Sequence, residues 1–179
     1  FFQAEDGIRD SRSVSAFLLN RSSDLTVARA AEHPNVIGIK DSSGNIVKIA
    51  DIVRLTGAVS ERRGSLPDFQ VLAGSASFLY PALCVGAVGG VVALANVAPQ
   101  QCIDIWHWFQ AGWWDQAADL QRQMVPVNTA ITATYGIAGL KAALDMLGYH
   151  GGAVRAPLLD LREDEREALR QILIDGEIL

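Results

Sequence analysis

Residues 33–45 read His33-Pro34-Asn35-Val36-Ile37-Gly38-Ile39-Lys40-Asp41-Ser42-Ser43-Gly44-Asn45. Val36 to Ile39 is an apolar run bounded on both sides by turn-forming residues, which predicts a strand buried in a parallel sheet. Alternate side chains of a strand share a face, so Val36, Gly38 and Lys40 point one way while Ile37 and Ile39 point the other. A lysine therefore ends an apolar strand. In parallel α/β sheets ligands gather at the carboxyl ends of the strands, and Gly38 leaves room beside the lysine stem. Partial loss of hydration there favours the neutral, nucleophilic amine that imine formation with a ketone requires. The competing reading pairs Lys40 with Asp41 or with another acid at the strand ends. The chain has two other lysines: Lys48 falls on the polar side of a predicted helix and Lys141 in the first turns of a later one. Only Lys40 ends a strand.

Before this stretch, a short helix from Thr26 through Ala31 ends at His33-Pro34. After it, Asp41-Ser42-Ser43-Gly44 turns the chain, and Ile46, Val47, Ile49, Ala50, Ile52 and Val53 have helical spacing up to Leu55, with Gly57 as a stop signal. Ala58 to Asp68 is polar and predicts a surface connection. Phe69 to Ala73 is the second strand, Ala76 to Val85 an apolar helix, and Val91 to Ala95 the third strand, entered through Gly86 to Gly90. The βαβαβ order implies a parallel sheet with right-handed crossovers. Beyond Asn96, placed to cap the next helix, the pattern is helical: one helix from Pro99, then Trp113 to Thr132, Ile137 to Leu147 and Glu163 to Ile174.

Half of the 179 residues are hydrophobic and a fifth are charged, enough for one domain with a core. The net charge of -5 and the lack of any basic run argue against a nucleic-acid groove. No apolar run reaches the roughly 20 residues of a membrane helix. Cys84 and Cys102 lie in apolar surroundings without metal-ligand spacing, which predicts two buried, reduced thiols and neither a disulfide framework nor a metal site. Trp106, Trp108, Trp113 and Trp114 are read as core and helix-contact residues rather than as a stacking platform. Residues 1–25 stand apart, with charge clusters and no sustained period. Phe1 to Asp10 reads like a translated adapter oligonucleotide and Ser22 to Leu25 like a second scar, so the segment is expected to be artefactual or disordered. The chain then divides into this leader, a sheet-containing part at 26–98 and a helical region at 99–179.

Four blocks carry a resemblance: HPNVIGIKDSSGN (33–45), FQVLAGSASFLYPALCVGAVGGVVALANVAP (69–99), YGIAGLKAALDMLGYHGG (135–152) and RAPLLDL (155–161). In this order they resemble the dihydrodipicolinate synthase and N-acetylneuraminate lyase family of pyruvate-handling aldolases, most of all its 4-hydroxy-2-oxoglutarate aldolases. The resemblance covers about Thr26 to Leu179. It implies an α/β fold, a truncated (β/α)8 TIM barrel holding the last three β/α units and followed by C-terminal helices. It also implies a class I aldolase that cleaves 4-hydroxy-2-oxoglutarate to pyruvate and glyoxylate, with dihydrodipicolinate synthase or a sugar-acid aldolase as alternatives. A non-catalytic globular fragment is the alternative of another class.

Carried over by position, Lys40 matches the Schiff-base lysine and Ser42 the small polar residue after it. Gly74 matches the pocket floor, and Val91 an aliphatic residue whose backbone carbonyl faces the 2-oxo acid. Gly89 and Gly90 would let that backbone approach closely. The resemblance implies a small-molecule substrate, no cofactor, no metal, and a homo-oligomer, a tetramer, for the intact parent; cytoplasm and mitochondrion both remain open. A full barrel takes about 250 residues, so five strands are missing. With them go the family's Thr-Thr-Gly-Glu carboxylate loop and its Asn-Val-Pro tyrosine. Tyr80, Tyr135 and Tyr149 lack that context, so the chain as written is expected to be inactive.

Overall fold

A computed structural model describes residues 24–63 and 69–179. The leader expected at 1–25 therefore lies outside the described residues except for Asp24 and Leu25, which open helix α1 (Asp24–Ala31). Strand β1 (Gly38–Asp41) leads into helix α2 (Ile46–Arg63), then strand β2 (Gln70–Ala73), a 3-10 turn (Ala76–Phe78), helix α3 (Leu79–Cys84) and strand β3 (Gly89–Gly90). The three strands form one parallel sheet in the order β1-β2-β3. This matches the order read from the sequence. A second 3-10 turn (Ala93–Asn96) is followed by helices α4 (Pro99–Gln110) and α5 (Trp114–Thr129), a π-helical segment (Ala130–Thr134), and helices α6 (Gly136–Met146) and α7 (Glu163–Asp175).

Helix α2 runs well past the predicted stop. Ile49, Ile52, Thr56, Val59 and Ser60 are all buried, so the buried stripe continues beyond Gly57 and the helix continues with it. A helix-interior glycine costs about 1 kcal/mol, less than burial of the following turn returns. Ala58 to Arg63 is thus helical rather than surface connection, and Ser60 Oγ accepts the Phe69 amide at 3.1 Å at the entry to β2. The start of α2 follows local chemistry: Asn45 Oδ1 accepts the Lys48 amide at 3.1 Å, an N-cap bond.

Strand β3 also differs from expectation. Pairing with β2 occurs at Gly89 and Gly90, and Ala93–Asn96 coils into a 3-10 turn where a strand was predicted. Strand β2 itself ends at Ala73, whose carbonyl accepts the Val91 amide at 2.9 Å, while the Gly74 amide bonds to Asp41 O of β1 at 2.7 Å. Asn96 does not cap α4. Its Nδ2 donates to Ala93 O at 2.9 Å, the N-cap is Ala98, and Pro99 opens the helix.

The core joins α1, α2 and the sheet to the C-terminal helices through Ile52, Val71, Leu94, Ile105, Met124 and Leu173, all at most 2% exposed. Two further expectations fail. Cys84 is exposed, and only Cys102 is buried. Trp113 and Trp114 are 56% and 61% exposed, so they are not core residues; Trp106 sits at the surface with its indole N–H on Val88 O at 2.9 Å.

Candidate functional site

The parallel register decides which strand-end residues meet. Lys40 pairs across to Leu72 and Leu72 to Gly89; Asp41 pairs to Ala73 and Ala73 to Gly90. One residue further, the Gly74 and Val91 amides bond to the Asp41 and Ala73 carbonyls, so Ser42, Gly74 and Val91 form the next row. Strand alternation then puts Lys40, Ser42, Leu72, Gly74, Gly89 and Val91 on one face and Asp41, Val71 and Ala73 on the other. The second face is the buried one: Asp41, Val71 and Ala73 are 4%, 2% and 1% exposed. The first face is open, with Lys40 and Ser42 half-buried and Val91 53% exposed. The fold therefore gathers all four residues picked from the sequence, Lys40, Ser42, Gly74 and Val91, at the carboxyl end of the sheet.

Gly74 is required there. A Cβ on it would overlap Ser42 Oγ and lie 2.8 Å from both Asp41 O and Ser42 Cα. Ser42 Oγ itself is buried and has no hydrogen-bond partner among the described residues. A buried hydroxyl normally finds one, which makes this atom a candidate hydrogen-bonding point of the row.

Asp41, next to Lys40, sits on the opposite face and accepts from Lys48 Nζ at 2.7 Å, from the Ser43 amide at 2.8 Å and from Ser43 Oγ. Burial alone would raise its carboxyl, but the hydrogen bonds from Lys48 and Ser43 and the Lys48 charge hold it below the ordinary aspartate range. Lys48 is thus not simply a polar-face residue of its helix. Lys141 donates to Gly151 O at 2.7 Å, away from the strand ends.

The loop after β2 is held by a helix remote in sequence. Gln121 accepts the Tyr80 amide at 2.9 Å and donates to Ala76 O at 2.7 Å; seven residues on, Asn128 Nδ2 donates to Ser75 Oγ at 3.2 Å and Ser77 Oγ at 2.7 Å. Neither residue was singled out from the sequence. The available signal was a polar amide on the otherwise apolar face of Met124, Val127, Ala130 and Ile131, where a buried amide must have a partner.

A groove of about 410 Å³ runs between β3 and α4, lined by Leu79, Gly89, Gly90, Val92, Cys102 and Trp106 among others, and is mostly apolar. It shares no lining residue with Lys40, Ser42, Gly74 or Val91. Among the described residues no cluster of His, Cys, Asp and Glu could hold a metal, and no helix is long and apolar enough to cross a membrane.

The profile of the Dihydrodipicolinate synthetase family matches residues 21–175. The chain belongs to that family. The match and helix α1 both begin inside the segment set apart as leader. A 4-hydroxy-tetrahydrodipicolinate synthase of Caldicellulosiruptor saccharolyticus is 32% identical over 150 residues, which covers 84% of this chain and 48% of the relative. One from Methanoculleus marisnigri is 34% identical, covering 87% and 50%. Among solved structures, the dihydrodipicolinate synthase of Thermotoga maritima superposes with a TM-score of 0.77 at 29% identity, over 87% of this chain and 51% of the other. The chain spans about half the length of the curated relatives it matches. Its three-stranded parallel sheet is an α/β piece with the fold of these synthases. The 4-hydroxy-2-oxoglutarate aldolases, singled out from the sequence as the nearest subgroup, are not among these relatives, which are named as synthases.

Proposed function

We propose that this chain carries the imine-forming portion of a pyruvate-handling synthase or lyase, with Lys40 as the nucleophile. One observation carries the reading: Lys40 stands at the carboxyl end of β1 on the open face of the sheet, the face that also holds Ser42, Gly74 and Val91. In this chemistry the Lys40 amine adds to the C2 ketone of a 2-oxo acid and water leaves, giving an imine. The imine nitrogen then takes up the electron pair when the C3 proton is lost, and the resulting enamine attacks an aldehyde. Ser42 Oγ offers a hydrogen bond to the bound acid, Gly74 leaves it space, and Val91 lies in the same row.

The names of the relatives favour condensation, the 4-hydroxy-tetrahydrodipicolinate synthase direction, over cleavage of 4-hydroxy-2-oxoglutarate. Both reactions share the Lys40 imine and differ in the second substrate. Among the described residues, Ser42, Gly74 and Val91 add no general acid or base to Lys40 in this row, and losing one such group costs about 10² to 10⁴ in rate. The 179-residue chain is therefore proposed to form the imine without efficient turnover, and the intact parent to be a homo-oligomer, a tetramer.

Incubation with pyruvate and borohydride, followed by peptide mapping, tests the assignment. A reduced adduct on Lys40, lost in Lys40→Ala, is expected; an adduct on Lys48 or Lys141 instead would sink it. Parallel assays of pyruvate-aldehyde condensation and of glyoxylate release from 4-hydroxy-2-oxoglutarate, run on this chain beside a full-length relative, separate the two directions. Turnover by the 179-residue chain within about tenfold of a full-length relative would contradict the proposed inactivity.

A further inference from the structure

We infer that Asp41 and Lys48 form a positioning pair for Lys40, fixing the end of its strand and meeting the charge of the adjacent acid on the far face of the sheet. The inference rests on the reading of Lys40 as the imine-forming residue.

The geometry ties three pieces of backbone to one carboxylate. Asp41 belongs to β1, Ser43 to the loop, and Lys48 to the first turn of α2, where its own amide is held by Asn45 Oδ1. The Asp41 carbonyl is fixed as well, accepting the Gly74 amide at 2.7 Å. Lys40 is one peptide away and in register with Leu72. Its stem thus starts from a segment held by the sheet on one side and by the Asp41 carboxylate on the other.

Charge is the second argument. An aspartate next in sequence would ordinarily attract the lysine and hold it as an ammonium, which cannot attack a carbonyl. Here Asp41 faces the helices and its carboxylate meets Lys48, with side-chain exposures of 4% and 18%. Among the described neighbours, β2 (Gln70–Ala73) has no titratable side chain, and Asp51 and Arg54, further along α2, bond to each other at 3.0 Å. A buried ion pair is a weak source of stability compared with an apolar pair of similar volume. Its place beside the reactive amine gives it a different use.

The test exploits the small number of lysines. The chain labelled with ¹³Cε-lysine gives one signal each for Lys40, Lys48 and Lys141, assigned by substitution, and each is followed against pH. Lys48→Met leaves the Asp41 charge uncompensated and should move the Lys40 midpoint upward. Asp41→Asn leaves the Lys48 charge uncompensated and should move it downward, each by about half a pH unit or more. The double substitution should return it toward that of the unaltered chain, and Lys48→Arg should preserve it. The rate of borohydride trapping with pyruvate should shift along pH in the same directions. Single variants that move the midpoint the same way, or lower stability without moving it, would overturn the inference. If Lys48→Met does not fold, Asp41→Asn and the double variant decide between the same outcomes. Absence of a Lys40 adduct in the unaltered chain would instead sink the imine reading, and the lysine titration would still show whether the pair acts on Lys40.

Discussion

Asn128, near the carboxyl end of α5, donates through Nδ2 to Ser77 Oγ at 2.7 Å, fifty-one residues earlier in the chain. The bond ties the C-terminal helices to the loop that leaves β2, and Ser75 in the same loop follows Gly74 of the strand-end row. Asn128 is 1% exposed while Ser75 is half-buried and Ser77 exposed, so truncating the amide removes both bonds and leaves a gap in the packing on the buried side. Asn128→Ala is expected to destabilise the chain by about 1 to 3 kcal/mol in urea unfolding. Loss of less than about 0.5 kcal/mol would show that the loop holds itself.

Two glycines give opposite expectations. Gly74→Ala drives a methyl group into Ser42 Oγ and the Asp41 carbonyl and should cost about 1 to 3 kcal/mol, with loss of pyruvate trapping at Lys40. Gly57 lies inside α2, and a methyl group added there would meet nothing within 4 Å. Gly57→Ala should stabilise by about 0.5 to 1 kcal/mol and leave trapping unchanged. Equal effects of the two substitutions in urea unfolding would contradict the close approach of β1 and β2.

The Asp41 carboxyl lies below its ordinary value of 3.8, because the hydrogen bonds and charge of Lys48, with Ser43, outweigh burial. A carboxylate depressed in the folded state adds stability that is present above its unfolded value and lost as pH falls through its folded value. The unaltered chain should therefore exceed Asp41→Asn by about 2 to 3 kcal/mol at neutral pH. The gap should narrow only below pH 3.8. Denaturant titrations of both proteins from neutral pH to acid check this, and a gap that widens on acidification would reverse the sign.

Cys84 is exposed, whereas Cys102 is buried and its thiol is pushed up to about 11 by desolvation. The thiolate is the reactive species, so Cys102 should resist alkylation at neutral pH while Cys84 is modified. Peptide mapping after brief iodoacetamide treatment distinguishes them. Comparable labelling of both would show that the groove beside α4 opens to solvent.

Much of the strand-end site was legible in residues 33–45, because strand alternation has a period of two and needs no partner to be read. The observed β1 is shifted by two residues from the predicted strand, which leaves the parity of Lys40 intact. The short blocks around Gly74 and Val91 were legible as matching motifs, and the register then brought them level with Ser42. The partner of Asp41 was not legible. Lys48 has helical spacing that fits a solvent face equally well, and only the packing of α2 on the sheet turns its ammonium inward.

By itself the sequence determined the parallel βαβαβ order, the side of the strand on which Lys40 stands and the family blocks around it, since these depend on local periodicity and short motifs. Only the tertiary structure decided that α2 passes through Gly57, that β3 stops at Gly90, that Cys84 reaches solvent, and that Gln121 and Asn128 hold the loop after β2. Each of those outcomes depends on burial or hydrogen bonding between segments far apart in the chain, and local propensities of a few tenths to about one kcal/mol are overridden once such contacts form.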